Sequence, residues 1–143
     1  QQFERYSRLL ARYRGNEAEV NYLSAKIYYQ AGNYYNAYNQ YFALSKIKSP
    51  HQDEALYFLG IYSLLVNRNP GTALTYFSKI LEMPEGSETA KRKALIQCAI
   101  IYREMNNNEK ARECLGRVLA VQHRGLTHIQ AINLFNEFNY TAK

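Results

Sequence analysis

The side chains that could do chemistry are few and far apart in this chain. It has a single aspartate, Asp53, and three histidines, His51, His123 and His128. General acid–base catalysis or a metal site needs several carboxylates or imidazoles converging on one point. His51 stands at an expected helix start, where an exposed ring is expected, and His123 and His128 flank Gly125 with no further ligands evident near them. Cys98 and Cys114 have neither a CxxC partner nor metal-type spacing, and read as small, partly buried thiols; a disulfide between them stays open. Ser63 has no histidine close in sequence and reads as a packing residue. The phosphate-loop, nucleophile-elbow and zinc-protease motifs are all absent. The expectation is a protein that is not an enzyme, with no cofactor, no metal and no catalytic residues.

Composition narrows the partner classes. At 143 residues the chain is one domain by length, and an apolar share of 47% is enough for a core. No apolar run reaches the 18 residues that suggest a membrane span. The net charge is +6, and four arginines less Glu4 place +3 of it in residues 1–14. There Arg5, Arg8 and Arg12 form a helical stripe that is either a solvated face or a contact for an acidic partner or lipid surface. A basic excess this mild and spread disfavours nucleic acid as the partner. The chain begins Gln1-Gln2, so the lack of a visible signal peptide leaves the compartment open.

The elements that must position any site are helices. Between Ala18 and Pro50, small residues at Ala25 and Ala37 and aromatics at Tyr28, Tyr34 and Tyr41 fall at helical spacing around Gly32. Two small residues let two helices approach, and a glycine between them supplies left-handed backbone for the turn. The pattern recurs as Leu59-Gly60, Ala73 and Phe77, then as Leu95, Ala99, Tyr102, Ala111 and Leu115. The small residue of each second helix moves from Ala37 to Ala73 to Ala111, steps of 36 and 38. Caps are expected at Asn16 with Glu19, at Ser49-Pro50 with Gln52, at Asn69-Pro70 and at Ser87, and Asn106–Asn108 forms a further turn. Helices are expected to end near Ala31, Ile47, Val66, Met83, Met105 and Val121. Tyr28-Tyr29 and Tyr34-Tyr35 favour strand locally, but their spacing to the alanines is helical. A helical stripe at 2–14 and a last helix bearing Ile129, Ile132, Phe135 and Phe138 flank the three hairpins.

On these residues the chain resembles the tetratricopeptide repeat family over roughly residues 16–122. The first copy matches its small–aromatic–glycine–aromatic–alanine–aromatic order at Ala25, Tyr28, Gly32, Tyr34, Ala37 and Tyr41, and the third at Ala99, Tyr102, Asn106, Ala111 and Leu115. The second departs, because its turn Asn67–Gly71 is one residue longer and lacks the aromatic. Repeat steps longer than the usual 34 residues or so are similar to those of bacterial envelope members such as Tol-Pal-associated and outer-membrane-assembly lipoproteins. The resemblance implies an all-α fold: a right-handed α-solenoid of three helix hairpins with flanking N- and C-terminal helices. The divisions are a flanking helix at 2–14, repeats at 16–49, 50–86 and 87–123, and a capping helix or truncated fourth repeat at 125–140.

The resemblance also implies where a partner would sit. In this family a stripe on the first helices lines a concave surface. Here that stripe is Tyr22, Lys26 and Tyr29, then Tyr57, Ile61 and Leu64, then Ile96, Ile100 and Arg103. It would suit an amphipathic helix or an extended peptide with apolar anchors and some acidic character. The competing reading packs part of this stripe between neighbouring first helices, with Ile61 and Ile100 as core. The carboxylate clamp for Glu-Glu-Val-Asp chaperone tails is not expected, because its places hold Tyr22, Lys26, Phe58, Lys93 and Gln97, of which only Lys93 fits. Two functions remain: a protein-interaction scaffold with a peptide-binding groove, or a structural segment of a larger solenoid or a homo-oligomer. An RNA-reading repeat is disfavoured, because the three copies share no polar code.

Overall fold

The computed structural model describes residues 16–120 and, further along, 130, 132, 133, 135 and 136. Within residues 16–120 six helices follow one another: α1 (Glu17–Gln30), α2 (Tyr34–Ser45), α3 (Gln52–Leu65), α4 (Pro70–Glu82), α5 (Glu88–Glu104) and α6 (Asn108–Ala120). No strand occurs among the described residues, and the tyrosine pairs Tyr28-Tyr29 and Tyr34-Tyr35 lie in α1 and α2. Consecutive helices pack antiparallel as three hairpins, α1–α2, α3–α4 and α5–α6, and each hairpin packs on the next. The protein is thus an all-α solenoid of stacked helix hairpins. The 2–14 stripe with Arg5, Arg8 and Arg12 lies outside the described residues. Of the expected last helix, the five described residues are helical, and Phe135 packs against the core.

Asparagine sets the hairpin turns. In the first, Gly32 takes φ 77° and Asn33 N donates to Tyr28 O at 2.9 Å. In the third, Asn106 takes φ 61° and Asn107 N donates to Tyr102 O at 2.8 Å. Both are the bond pattern that closes a helix over a left-handed residue. The second turn reaches the same end differently. Asn67 N donates to Tyr62 O at 3.3 Å, and Arg68 takes the left-handed position at φ 50°. The extra residue lets Asn69 follow as a cap. Asn33, Asn69 and Asn107 then each cap the next helix, accepting from Asn36 N, Thr72 N and Lys110 N at 3.2, 3.1 and 3.3 Å.

The other starts differ more. Asn16 Oδ1 accepts from Glu19 N at 3.3 Å, and Ser87 Oγ from Ala90 N at 3.0 Å. At α3 the helix begins at Gln52, so Pro50 lies in the preceding turn instead of the first helical position. Ser49 Oγ accepts from His51 N at 3.2 Å, and the Gln52 amide donates back to Ser45 O at 2.9 Å, tying α3 to the end of α2.

The core divides in two. One cluster joins Ala25, Ala37, Tyr41, Leu44, Ala55 and Leu59 across α1–α3. The other runs from Leu56 through Ala73, Phe77 and Ile80 to the buried faces of α5 and α6. Ala37, Ala73 and Ala111 are all fully buried, each on the second helix of its hairpin. Gly60 fills the first-helix small position of hairpin two because Phe77 presses on it. A Cβ there would stand 2.5 Å from Phe77 Cε1. Ser63 is buried, and its hydroxyl donates to Leu59 O at 2.8 Å, a packing role. Cys98 and Cys114 are buried free thiols.

Candidate partner-binding surface

The first helices of the three hairpins do not stack alike. The backbones of α3 and α5 approach to within 8 Å between Cα atoms, whereas no Cα of α1 comes that near a Cα of α3. The expected stripe therefore falls into two parts with different surroundings.

Between α3 and α5 the stripe is packing. Ile96 is only 5% exposed and belongs to the core, which corrects its assignment to a partner-facing floor. Tyr57, Ile61, Leu64 and Ile100 are half-buried against the same cluster, so Ile61 and Ile100 are not wholly interior. Tyr57 lies 5.6 Å from the Phe77 ring, carries Lys93 Nζ 4.5 Å over its face, and receives a 3.4 Å hydrogen bond from Gln97 Nε2 on its hydroxyl. Burial raises its pKa, which the Gln97 bond partly offsets. Three residues at clamp places or beside them, Tyr57, Lys93 and Gln97, are thus engaged with one another. Arg103 lies half-buried in the last turn of α5.

Between α1 and α3 the stripe is a seam made by side chains alone. The Tyr22 ring stacks on His51 at 3.7 Å and 3°. Glu19 Oε2 lies 3.0 Å from His51 Nε2, so the carboxylate that sequence assigns to a reciprocal cap crosses to the next hairpin instead. Lys26 Nζ lies 3.3 Å from Glu54 Oε2, a shielded oxygen that this cation compensates, and 5.3 Å over the Tyr22 ring. Burial alone would lower the Lys26 pKa; the Glu54 carboxylate beside it outweighs this and holds it above the ordinary value. Tyr29 closes the upper end, edge-on to Phe58 at 5.9 Å and to Tyr34 at 5.4 Å, yet remains 49% exposed. Behind it, Tyr41 packs on Phe58 at 4.4 Å, and burial pushes its hydroxyl up to about 12. The seam is amphipathic: ring faces and an ion pair, half open to solvent, over an apolar base.

Two residues gained roles that local sequence does not reveal. His51 is half-buried and stacked, not exposed, because Tyr22 and Glu19 reach it from a different hairpin. Asp53 Oδ2 accepts from Ser87 N at 3.1 Å, and Oδ1 from Glu54 N at 2.7 Å, so the single aspartate couples the starts of hairpins two and three. Beside it, Lys48 and Glu85 face each other at 3.5 Å across a cleft of about 790 Å³ between the two inter-hairpin loops. Among the described residues no three of His, Cys, Asp and Glu converge as metal ligands, and no helix is long and apolar enough to cross a membrane. A scan against protein-family models and a search of curated proteins each return no match.

Proposed function

We propose that this chain is a non-enzymatic protein-interaction module of tetratricopeptide-repeat type, with the α1–α3 seam as its binding surface. The observation that carries this is the difference between the two first-helix junctions. Where α3 meets α5 the stripe is closed by backbone approach. Where α1 meets α3 the junction is made by side chains, with Glu19, Tyr22, Lys26, His51 and Glu54 on its solvent side over an apolar base, and Tyr29 stays half exposed. Side chains that stand between two helices without backbone contact can rearrange at low cost when a ligand enters. A tyrosine offers such a ligand an apolar body and a wet hydroxyl. The partner best suited is an extended peptide or helix with apolar anchors and a carboxylate able to share Lys26.

The test is affinity capture from the native source with wild-type protein and a Tyr22→Ala/Tyr29→Ala variant, its helicity checked by circular dichroism. Loss of a specific partner from the folded variant supports the seam. A folded variant that keeps every partner contradicts it.

A further inference from the structure

Three antiparallel hairpins in a row put their three turns at one edge of the solenoid and the two loops between hairpins at the other. The two edges differ in chemistry. Most of the exposed large apolar side chains lie at or beside the turns: Tyr29, Tyr34 and Tyr35 at the first, Leu65 and Val66 at the second, Met105 at the third. Leu65 is 73% exposed and Tyr35 67%. Tyr29 also borders the α1–α3 seam, so the edge proper is the other five. Charge collects at the opposite edge, where the loops carry Lys46, Lys48, His51 and Glu85 and are tied by Asp53 to Ser87. Within the turns themselves, residues 31–33, 66–69 and 105–107, Arg68 is the one charged residue. Beside the third turn Arg103 and Lys110 offset Glu104 and Glu109.

We propose that this turn edge rests on an anionic lipid surface, with Tyr34, Tyr35, Leu65, Val66 and Met105 entering the headgroup layer and Arg68 meeting a headgroup oxyanion. Arg68 supplies the first argument. The left-handed place of the turn is filled by Gly32 in the first hairpin and Asn106 in the third, residues that adopt it readily. In the second hairpin Arg68 fills it, at φ 50° and against its backbone preference. Its guanidinium pairs with no carboxylate among the described residues. A cation kept at a strained tip without a partner is placed for an anion outside the chain. The apolar side chains supply the second. They stand on three separate tips, with capping asparagines and turn backbone between them. Such a row falls well short of the roughly 20–30 residues a side that a stable protein interface uses. A fluid headgroup layer needs no fit between the tips, and its attraction grows with apolar area and opposite charge. Tyrosine, with an apolar body and a wet hydroxyl, suits that layer.

The experiment is flotation with vesicles of phosphatidylcholine plus phosphatidylserine, and with vesicles of phosphatidylcholine alone. The chain has no tryptophan, so Leu65→Trp adds a single fluorescent reporter at the edge. Binding to the phosphatidylserine vesicles is expected, with a blue shift of the reporter. Arg68→Gly should weaken it about fivefold, one cation's share near such a surface, and Arg68→Lys should restore it. Glycine relieves the left-handed strain, so this variant stays folded and its loss reports on lipid. Leu65→Ser/Val66→Ser removes two side chains that stand mostly in solvent and should weaken binding at least about tenfold. Lys48→Ala, the same change of charge at the opposite edge, and Tyr22→Ala in the seam should leave it unchanged. Absence of flotation, equal flotation with phosphatidylcholine alone, an unshifted reporter in the bound protein, or an equal loss in Lys48→Ala each overturns the proposal. Flotation that survives both edge variants overturns it too, the lipid then being met elsewhere, as at Arg5, Arg8 and Arg12. So does a dimer in sedimentation that Leu65→Ser/Val66→Ser dissolves, because the edge then meets a second copy of the chain.

Discussion

Replacing Gly60 with alanine sets two opposing effects against each other at one atom. In an unconstrained helix interior the change stabilises by about 1 kcal/mol, because glycine has more backbone freedom to lose on folding. At Gly60 the added methyl would stand 2.5 Å from Phe77 Cε1, 2.6 Å from Cζ and 3.0 Å from Cδ1. Phe77 is fully buried, so the ring has no free space to move into. Forcing a methyl into such packing costs about 1–3 kcal/mol. The balance is a net destabilisation of up to about 2 kcal/mol. Urea unfolding followed by far-UV circular dichroism reads this as a lower midpoint at constant slope. Gly116 is the internal control: it lies inside α6, and nothing stands within 4 Å of its added Cβ. Gly116→Ala should therefore stabilise by about 1 kcal/mol. A Phe77→Leu background removes ring atoms facing Gly60, so Gly60→Ala there should cost less than in the wild type, with a coupling of about 0.5–3 kcal/mol. If Gly60→Ala stabilises as much as Gly116→Ala, or adds independently to Phe77→Leu, close contact between α3 and α4 is not what selects glycine.

Ala37→Leu and Ala111→Leu should each destabilise by about 1–3 kcal/mol in the same assay, since both alanines are fully buried between paired helices; unchanged midpoints would contradict that pairing. Arg92 is 2% exposed, and among the described residues it makes one 3.4 Å bond, to Thr89, while Nε and Nη1 lack partners, so Arg92→Met should be neutral or stabilise by about 1–4 kcal/mol. A large destabilisation would mean that the guanidinium has a counter-charge beyond the described residues. Burial pushes the Cys98 thiol up to about 12 and raises Cys114 as well. A raised thiol pKa keeps the reactive thiolate scarce at every pH below it. Both cysteines should resist a thiol reagent in the native protein at pH 8 or so and react on unfolding; rapid native labelling would contradict their burial.

What the sequence disclosed was whatever depends on neighbours three or four residues apart. The caps at Asn16, Asn69 and Ser87, the buried alanines and the left-handed Gly32 all have local signatures, and the helix ends near Gln30, Leu65, Glu82 and Glu104 fall within a residue or so of expectation. Arg68 in the left-handed position had no such signature, because arginine is not a residue chosen for positive φ. The candidate surface was legible as a stripe but not as two junctions. Tyr22 with His51 and Asp53 with Ser87 meet across hairpins, where no period in the chain records the pairing. Ile96 and Ile100 occupy one stripe, and which of them is buried depends on how closely α5 approaches α3. That approach is set by side-chain volumes on both helices, not by the spacing along one.

In the proposed mode of binding, a partner enters where α1 and α3 are joined by side chains. The most direct measurement is photo-cross-linking with a benzophenone amino acid placed at Tyr29, and for comparison at Thr75 on the exposed face of α4. A partner in the seam gives a discrete adduct from position 29, suppressed when Tyr22→Ala is added, and none from position 75. Equal adducts from both positions, or an adduct from position 75 alone, would contradict it.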